Sequence, residues 1–160
     1  MLVAATAATA AAACGVRYSF SGGGLGPNVR TMAVILFENK TTSPDLQQEL
    51  FEQMRGELRR RLGVRDAPQD RANAVVTGTI QQYQVDLPVG VSADPTQVSA
   101  RRRLQITIDV QIVNDKRTVL FEKRGLSASA DYAERGEPDA RKKAIELLVN
   151  DIVSSTQSQW

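Results

Sequence analysis

The chain has 160 residues, of which 42% are hydrophobic, 24% charged and 5% aromatic, a composition that fits one small globular domain and is too apolar for disorder. With no His, one Cys and 20 basic against 18 acidic side chains, it excludes a Ser-His-Asp triad, a His-bound zinc and an intrachain disulfide, and leaves too little net charge to hold nucleic acid by bulk attraction. What remains is a domain that binds something and for which catalysis is not expected.

The chain opens on MLVAATAATAAAAC, an uncharged stretch too short to cross a bilayer, which needs about 20 apolar residues. Its blandness fits the apolar region of a secretory signal, and Cys14 directly after Ala11-Ala12-Ala13 resembles a bacterial lipobox, whose thiol is acylated as the preceding peptide is removed. Each buried CH2 contributes roughly 0.8 kcal/mol, so several acyl chains on one residue anchor a protein durably. On this reading residues 1–13 are a lipoprotein signal peptide and Cys14 is the lipidation site. Gly15, where Asp would favour the inner membrane, points to the outer one. The run lacks a preceding Lys or Arg, and Ala11 stands where Leu is usual; the alternative is an Ala-rich tail with an incidental thiol. Residues 14–30 then form a Gly- and Ser-rich tether. Gly22-Gly23-Gly24 lacks the Lys-Ser/Thr of a phosphate loop.

The domain proper is expected over residues 31–160. Thr31 to Glu38 (TMAVILFE) is apolar on both faces and predicts a central strand. A helix follows, with Ser43 as N-cap, Pro44 at its first position and Gly63 as its stop. Its buried stripe is Leu46, Leu50, Phe51, Met54, Leu58 and Leu62. Arg59, Arg60 and Arg61 suit the negative end of its dipole, which explains them better than nucleic acid or lipid head groups. A second strand spans about Ala74 to Asp86, and the loop LPVGVSADPTQ suits variable contacts. The third strand alternates: Val98, Ala100, Leu104, Ile106, Ile108, Val110 and Ile112 face one way, interrupted by Arg102. Ser99, Arg101, Arg103, Gln105, Thr107, Asp109 and Gln111 face the other. A turn at Asn114-Asp115-Lys116-Arg117 leads to a fourth strand reaching about Tyr132. A tight turn would put Val119 and Phe121 on the packed face and Glu122 and Arg124 on the polar one. The last helix begins near Pro138, with Ala144, Ile145, Leu148 and Ile152 as its stripe, backed by Leu147 and Val149. The expected fold is therefore α+β, in the order β-α-β-β-β-α: a two-layer sandwich of a four-stranded, mostly antiparallel sheet with two helices on one face.

No catalytic constellation appears: the carboxylates are scattered, no G-x-S-x-G or S-x-x-K activates a hydroxyl, and no acidic loop is built for a metal or cofactor. The suggestive residues are basic. Arg101, Arg103 and Arg124 project from the open sheet face in this register, and Arg forms bidentate bonds to phosphate, so they are the candidate binding residues for an anionic lipid head group. The competing reading has them solubilising the sheet and pairing with Asp109 and Glu122.

Cys14, CGVRYSFSGG, TMAVILFENKTTSPDLQQELFEQM, ANAVVTGTIQQYQV and RLQITIDVQIVNDKRTVLFEKR, in this order, resemble the LPS-assembly lipoprotein LptE family. The most specific element is the strand running into Phe37-Glu38-Asn39-Lys40-Thr41, followed by a helix opened by Pro44. The resemblance implies a lipoprotein on the periplasmic face of the outer membrane. It would plug the lumen of an LptD-like β-barrel and assist lipopolysaccharide to the surface, with no enzyme activity. No family motif places lipid-contacting residues here, so Arg101, Arg103 and Arg124 rest on the strand pattern alone. A strand ending Phe-Glu-Asn is also similar to peptidoglycan-synthase activators and to CsgG/TolB-like envelope lipoproteins, which leaves docking to a cell-wall enzyme or secretion complex as the alternative.

Overall fold

The structure, a computed structural model, describes residues 25, 28–89, 102–133 and 135–158. Along them run β1 (Thr31–Val34), β2 (Glu38–Asn39), α1 (Asp45–Leu62), β3 (Arg65–Asp66), a 3-10 turn at Gln69–Arg71, β4 (Ala74–Pro88), β5 (Arg102–Asn114), β6 (Val119–Tyr132) and α2 (Glu137–Ser158). The sheet order is β3-β1-β4-β5-β6, with β2 also paired to β4.

The α+β class and the two helices agree with the sequence; the four-stranded, mostly antiparallel sheet does not. The sheet is open and mixed. β4, β5 and β6 form an antiparallel meander, while β1, β2 and β3 pair in parallel. The physical reason is the α1 crossover, which carries the chain back to the end where it started and so makes β1 and β4 run the same way. β2 and β3 have two residues each, too few to leave a period-two pattern.

β5 sets the layers. Leu104, Ile106, Ile108, Val110 and Ile112 are buried while the residues between them are half-exposed. The buried set shares one core with Leu46, Leu50, Met54 and Leu58 of α1 and with Ala144, Leu148 and Ile152 of α2. Both helices therefore cover the same face. Phe51 and Leu62 sit only half-buried at the margin. On α2 the buried stripe runs on to Val153 and Thr156, and Leu147, expected to back it, is 41% exposed, because the 3.6-residue period turns that position away from the sheet.

Three local features re-aim side chains. Between the pairs Val34↔Val76 and Glu38↔Thr79, three residues of the first apolar run (Ile35, Leu36, Phe37) oppose two of β4 (Thr77, Gly78). The extra residue breaks the expected single strand, turns Leu36 outward at 46% exposure and buries Phe37. The Phe37 ring lies on Gly78, where a Cβ would meet both the ring and the Asp109 carbonyl at 2.4 Å. At the start of α1, Pro44 rather than Ser43 holds the N-cap position, with no side-chain cap. The turn is tied instead by Asn39, whose Nδ2 donates to the Ser43 carbonyl at 2.8 Å and whose Oδ1 accepts from the Thr41 amide and hydroxyl. Gly63, as expected, ends the helix in the left-handed conformation. Finally, Ile112 pairs with Phe121 but Val113 with Val119, so Leu120 is an extra residue. Phe121 stays in the core and Val119, expected there, emerges on the open face at 47% exposure.

Gly78→Ala is predicted to destabilise the domain by about 1–3 kcal/mol, the usual cost of forcing atoms into a filled site. A urea denaturation midpoint unchanged from the parent would contradict the Phe37–Gly78 packing.

Candidate functional site

The face of the sheet away from the helices has no covering layer of helix among the described residues. It is built by the alternation that buries the opposite side chains. Gln82 and Gln84 of β4, Gln105, Thr107 and Gln111 of β5, and Ser127 and Ser129 of β6 form a carpet of uncharged polar groups, in which the hydroxyls of Thr107 and Ser127 are 2.8 Å apart. An apolar row crosses the same face near the start of β1, through the register partners Ala33, Val75, Val113 and Val119.

Arg103 and Arg124 lie on this face, and Arg101 falls outside the described residues, as do Cys14, Ser99, Val98 and Ala100. The two described arginines do not converge. Arg103 pairs across to Asp131 and Arg124 stands opposite Asp109, six positions along β5, or roughly 20 Å at about 3.3 Å per residue. Each also carries an acid partner. Arg103 donates through Nε and Nη2 to the two carboxylate oxygens of Asp131, and those hydrogen bonds first, the carboxylate charge second, hold the guanidinium above its ordinary range. Arg124 donates to Glu122 at 2.8 Å. Both pairs are exposed and contribute little to stability.

Asp109 makes no salt bridge with an arginine among the described residues. Its Oδ1 accepts the Gly125 amide at 2.7 Å and its Oδ2 the Gln81 amide at 2.6 Å. The Gly125 bond first, and the Gln81 bond second, hold its carboxyl below the ordinary range. Gly125 has φ +63 in the second β6 bulge, between the pairs Ile108↔Leu126 and Val110↔Lys123, a conformation that glycine adopts without strain. The Asp109 carboxylate therefore caps the bulge that presents Arg124.

At the far ends of β4, β5 and β6, Asp86 stands with φ +58. It accepts from the Tyr132 hydroxyl at 2.8 Å and from Arg102 at 2.9 Å, and donates its amide back to Tyr132. The Tyr132 bond, then the Arg102 bond, lower the Asp86 carboxyl. Between the layers, Tyr83 donates to Glu137 on α2, and burial, reinforced by that bond, pushes its hydroxyl up to about 12. Arg141 joins Glu49 of α1 at 2.9 Å, and Arg61 reaches Asn150 at 2.8 Å and Ser154 at 3.1 Å on α2. Arg61 thus laces the two helices together, a role that residue type and helix position alone do not reveal, because its partners lie some ninety positions away. No group of three or more Cys, His, Asp or Glu among the described residues is placed to hold a metal ion, and no helix among them is long and apolar enough to cross a membrane.

The family model for LptE, described as lipopolysaccharide-assembly, matches residues 29–156. No curated protein matches the sequence. Among solved structures, a minor lipoprotein from Acinetobacter baumannii is 16% identical over 82% of this chain and 92% of its own, with a TM-score of 0.50. The hypothetical protein CT253 from Chlamydia trachomatis is 9% identical over 81% and 96%, with a TM-score of 0.54. The PelC dodecamer from Paraburkholderia phytofirmans contributes a chain 14% identical over 83% and 94%, with a TM-score of 0.50. At these identities the likeness is one of fold.

The geometry at Asp109 sets an expectation for acid. Its folded-state pKa is depressed, so the stability it adds is present above the unfolded value of about 3.9 and is lost as pH falls through the lower folded value. An NMR titration should show the Asp109 carboxyl with a midpoint below that of a free Asp and the Gly125 amide proton moving with the same midpoint. A midpoint at the ordinary value, or an amide that ignores it, would rule out the cap.

Proposed function

The chain belongs to the LptE lipopolysaccharide-assembly family, and from that membership we propose that it is an outer-membrane lipoprotein that lodges in the lumen of an LptD-like β-barrel from the periplasmic side and assists lipopolysaccharide to the cell surface without bond chemistry. The observation that carries the reading is the extent of the family match, from just before β1 almost to the end of α2, which takes in every element of the fold. The uncovered, mostly uncharged polar sheet face is consistent with it, since such a face can lie against a hydrated barrel wall through hydrogen bonds.

In this reading Cys14 is the acylated residue, and its lipid holds the domain at the inner leaflet of the outer membrane. Lipopolysaccharide phosphate is met by Arg103, Arg124 and Arg101. Because Arg103 and Arg124 stand apart and each is held by a carboxylate, they act as separate contacts along the face and not as one cradle. Binding exchanges Asp131 or Glu122 for a phosphate oxygen of like charge, a swap with a small net cost at an exposed site.

Depletion of the protein in its host is expected to lower surface lipopolysaccharide and the yield of assembled barrel that co-purifies with it; undiminished surface lipopolysaccharide overturns the reading. Independently, Cys14→Ala should abolish incorporation of radiolabelled palmitate. Labelling that persists in that variant removes Cys14 as the anchor.

A further inference from the structure

One end of the domain is basic, and it is the end at which the chain enters. β1 and β4 start there, β5 ends there, β6 starts there, and the C-terminus of α1 returns there through the β3 pairing. Asn73 ties these pieces together. Its Oδ1 accepts from the Arg30 and Thr31 amides and the Thr31 hydroxyl, and its carbonyl accepts from the Asp115 amide. The Arg30 carbonyl in turn accepts from the Arg65 amide at 3.0 Å. Arg30, Arg65 and the turn carrying Lys116 and Arg117 are thereby fixed along one edge of the molecule. With strands about 4.8 Å apart, the row is roughly 20 Å wide.

Arg30, Arg65, Lys116 and Arg117 are all exposed, and none has an acid partner among the described residues. The carboxylates at this end offset them only in part: Asp66 is engaged by Arg55 and Asp70 by Arg71, and Asp115, in the turn, is one charge without a salt bridge among the described residues against four cations. The opposite end carries Arg135 and Lys142 without a salt bridge among the described residues, but its strand arginines differ. There Arg102 and Arg103 are both matched, to Asp86 and Asp131. Even Arg61, at the basic end, bonds only neutral groups on α2 and keeps its charge. Val119, the exposed end of the apolar row, lies two residues beyond Arg117.

We propose that this basic end docks the domain on the anionic phospholipid headgroups of the membrane in which its own anchor sits, with Arg30, Arg65, Lys116 and Arg117 as the contact. The inference rests on the reading of Cys14 as that anchor. Leu25 is already buried in the core, and Cys14 lies eleven positions before it, a tether of at most roughly 40 Å when fully extended. Leu25 is five residues from Arg30, within roughly 18 Å of it along the chain, so the lipid and the patch address the same side of the domain. A tether alone leaves orientation free; unpaired cations at its root supply one, because each Lys or Arg near an anionic leaflet adds a favourable, short-ranged attraction. A polyanion such as nucleic acid would satisfy the same charges, but nothing brings it to this end, whereas an anchored tether brings the membrane.

The test uses the full chain carrying Cys14→Ala, purified without an acyl group, in sedimentation with vesicles of phosphatidylcholine alone or mixed with phosphatidylglycerol. Binding is expected only to the mixed vesicles and should fade as salt shortens the range of the attraction. Adding Arg65→Glu and Lys116→Glu should weaken it about 25-fold or more, at roughly fivefold for each of the two cations removed. Lys142→Glu, on the exposed side of α2 at the other end, should leave it unchanged, and equal urea midpoints show that the variants are folded. Equal binding to neutral vesicles, undiminished binding by the double reversal, or capture by lipopolysaccharide micelles with phosphatidylglycerol vesicles ignored would each overturn the proposal. Since the protein in this assay has no acyl chain, failure of the anchor reading shows only in palmitate labelling and failure of this one only on vesicles.

Discussion

One-sided burial of β5 is the constraint on which the rest of the molecule depends. Its even-numbered aliphatic residues from Leu104 to Ile112 lie in the core and its odd-numbered neighbours do not. A slip of one residue would exchange the two sets and expose the whole row. The register is therefore strongly specified, and β4 and β6, paired along nearly the full length of β5, inherit it. α1 and α2 need a single apolar surface, and β5 provides it on one side only. The open face follows from the same fact.

Bulges then decide which side chains depart from that regular plan. The extra residue before Phe37 brings an aromatic ring onto Gly78, the extra Leu120 sends Val119 to the open face, and the Gly125 bulge, capped by Asp109, sets where Arg124 stands. Each re-aims a side chain, and two are held from a neighbouring strand, the first by the Phe37 packing on Gly78 and the last by the Asp109 bond to Gly125. The long-range polar ties work the same way between layers: Arg61 to α2, Arg141 to Glu49, and Tyr83 to Glu137. They join elements that burial alone would leave free to slide.

Membership in a lipopolysaccharide-assembly family suits this architecture. A domain covered by helices on one face and, among the described residues, uncovered on the other offers a hydrogen-bonding surface. The described arginines on that face are spread and paired with acids, while Arg30, Arg65, Lys116 and Arg117, without acid partners among the described residues, line the end where β1 begins.

The local elements were legible from residue order because their signals are local. The alternation of β5, the Leu46–Leu50–Met54–Leu58 stripe with Gly63 at its end, and the stripe of α2 each depend on periodicity within one segment, and the family resemblance rested on the same segments. Only the tertiary structure decided the mixed sheet with its two-residue strands, the outward turn of Leu36, Val119 and Leu147, the role of Asn39 in place of a Ser43 cap, and the separation of Arg103 from Arg124. These depend on which strand meets which and on where a bulge inserts one residue, and such pairings join positions tens of residues apart. Asn73 illustrates the difference. In the sequence it is one more polar residue before a strand, and in the fold it ties the entry of β1 to the turn before β6, because only folding brings residues 30, 65 and 115 to its side.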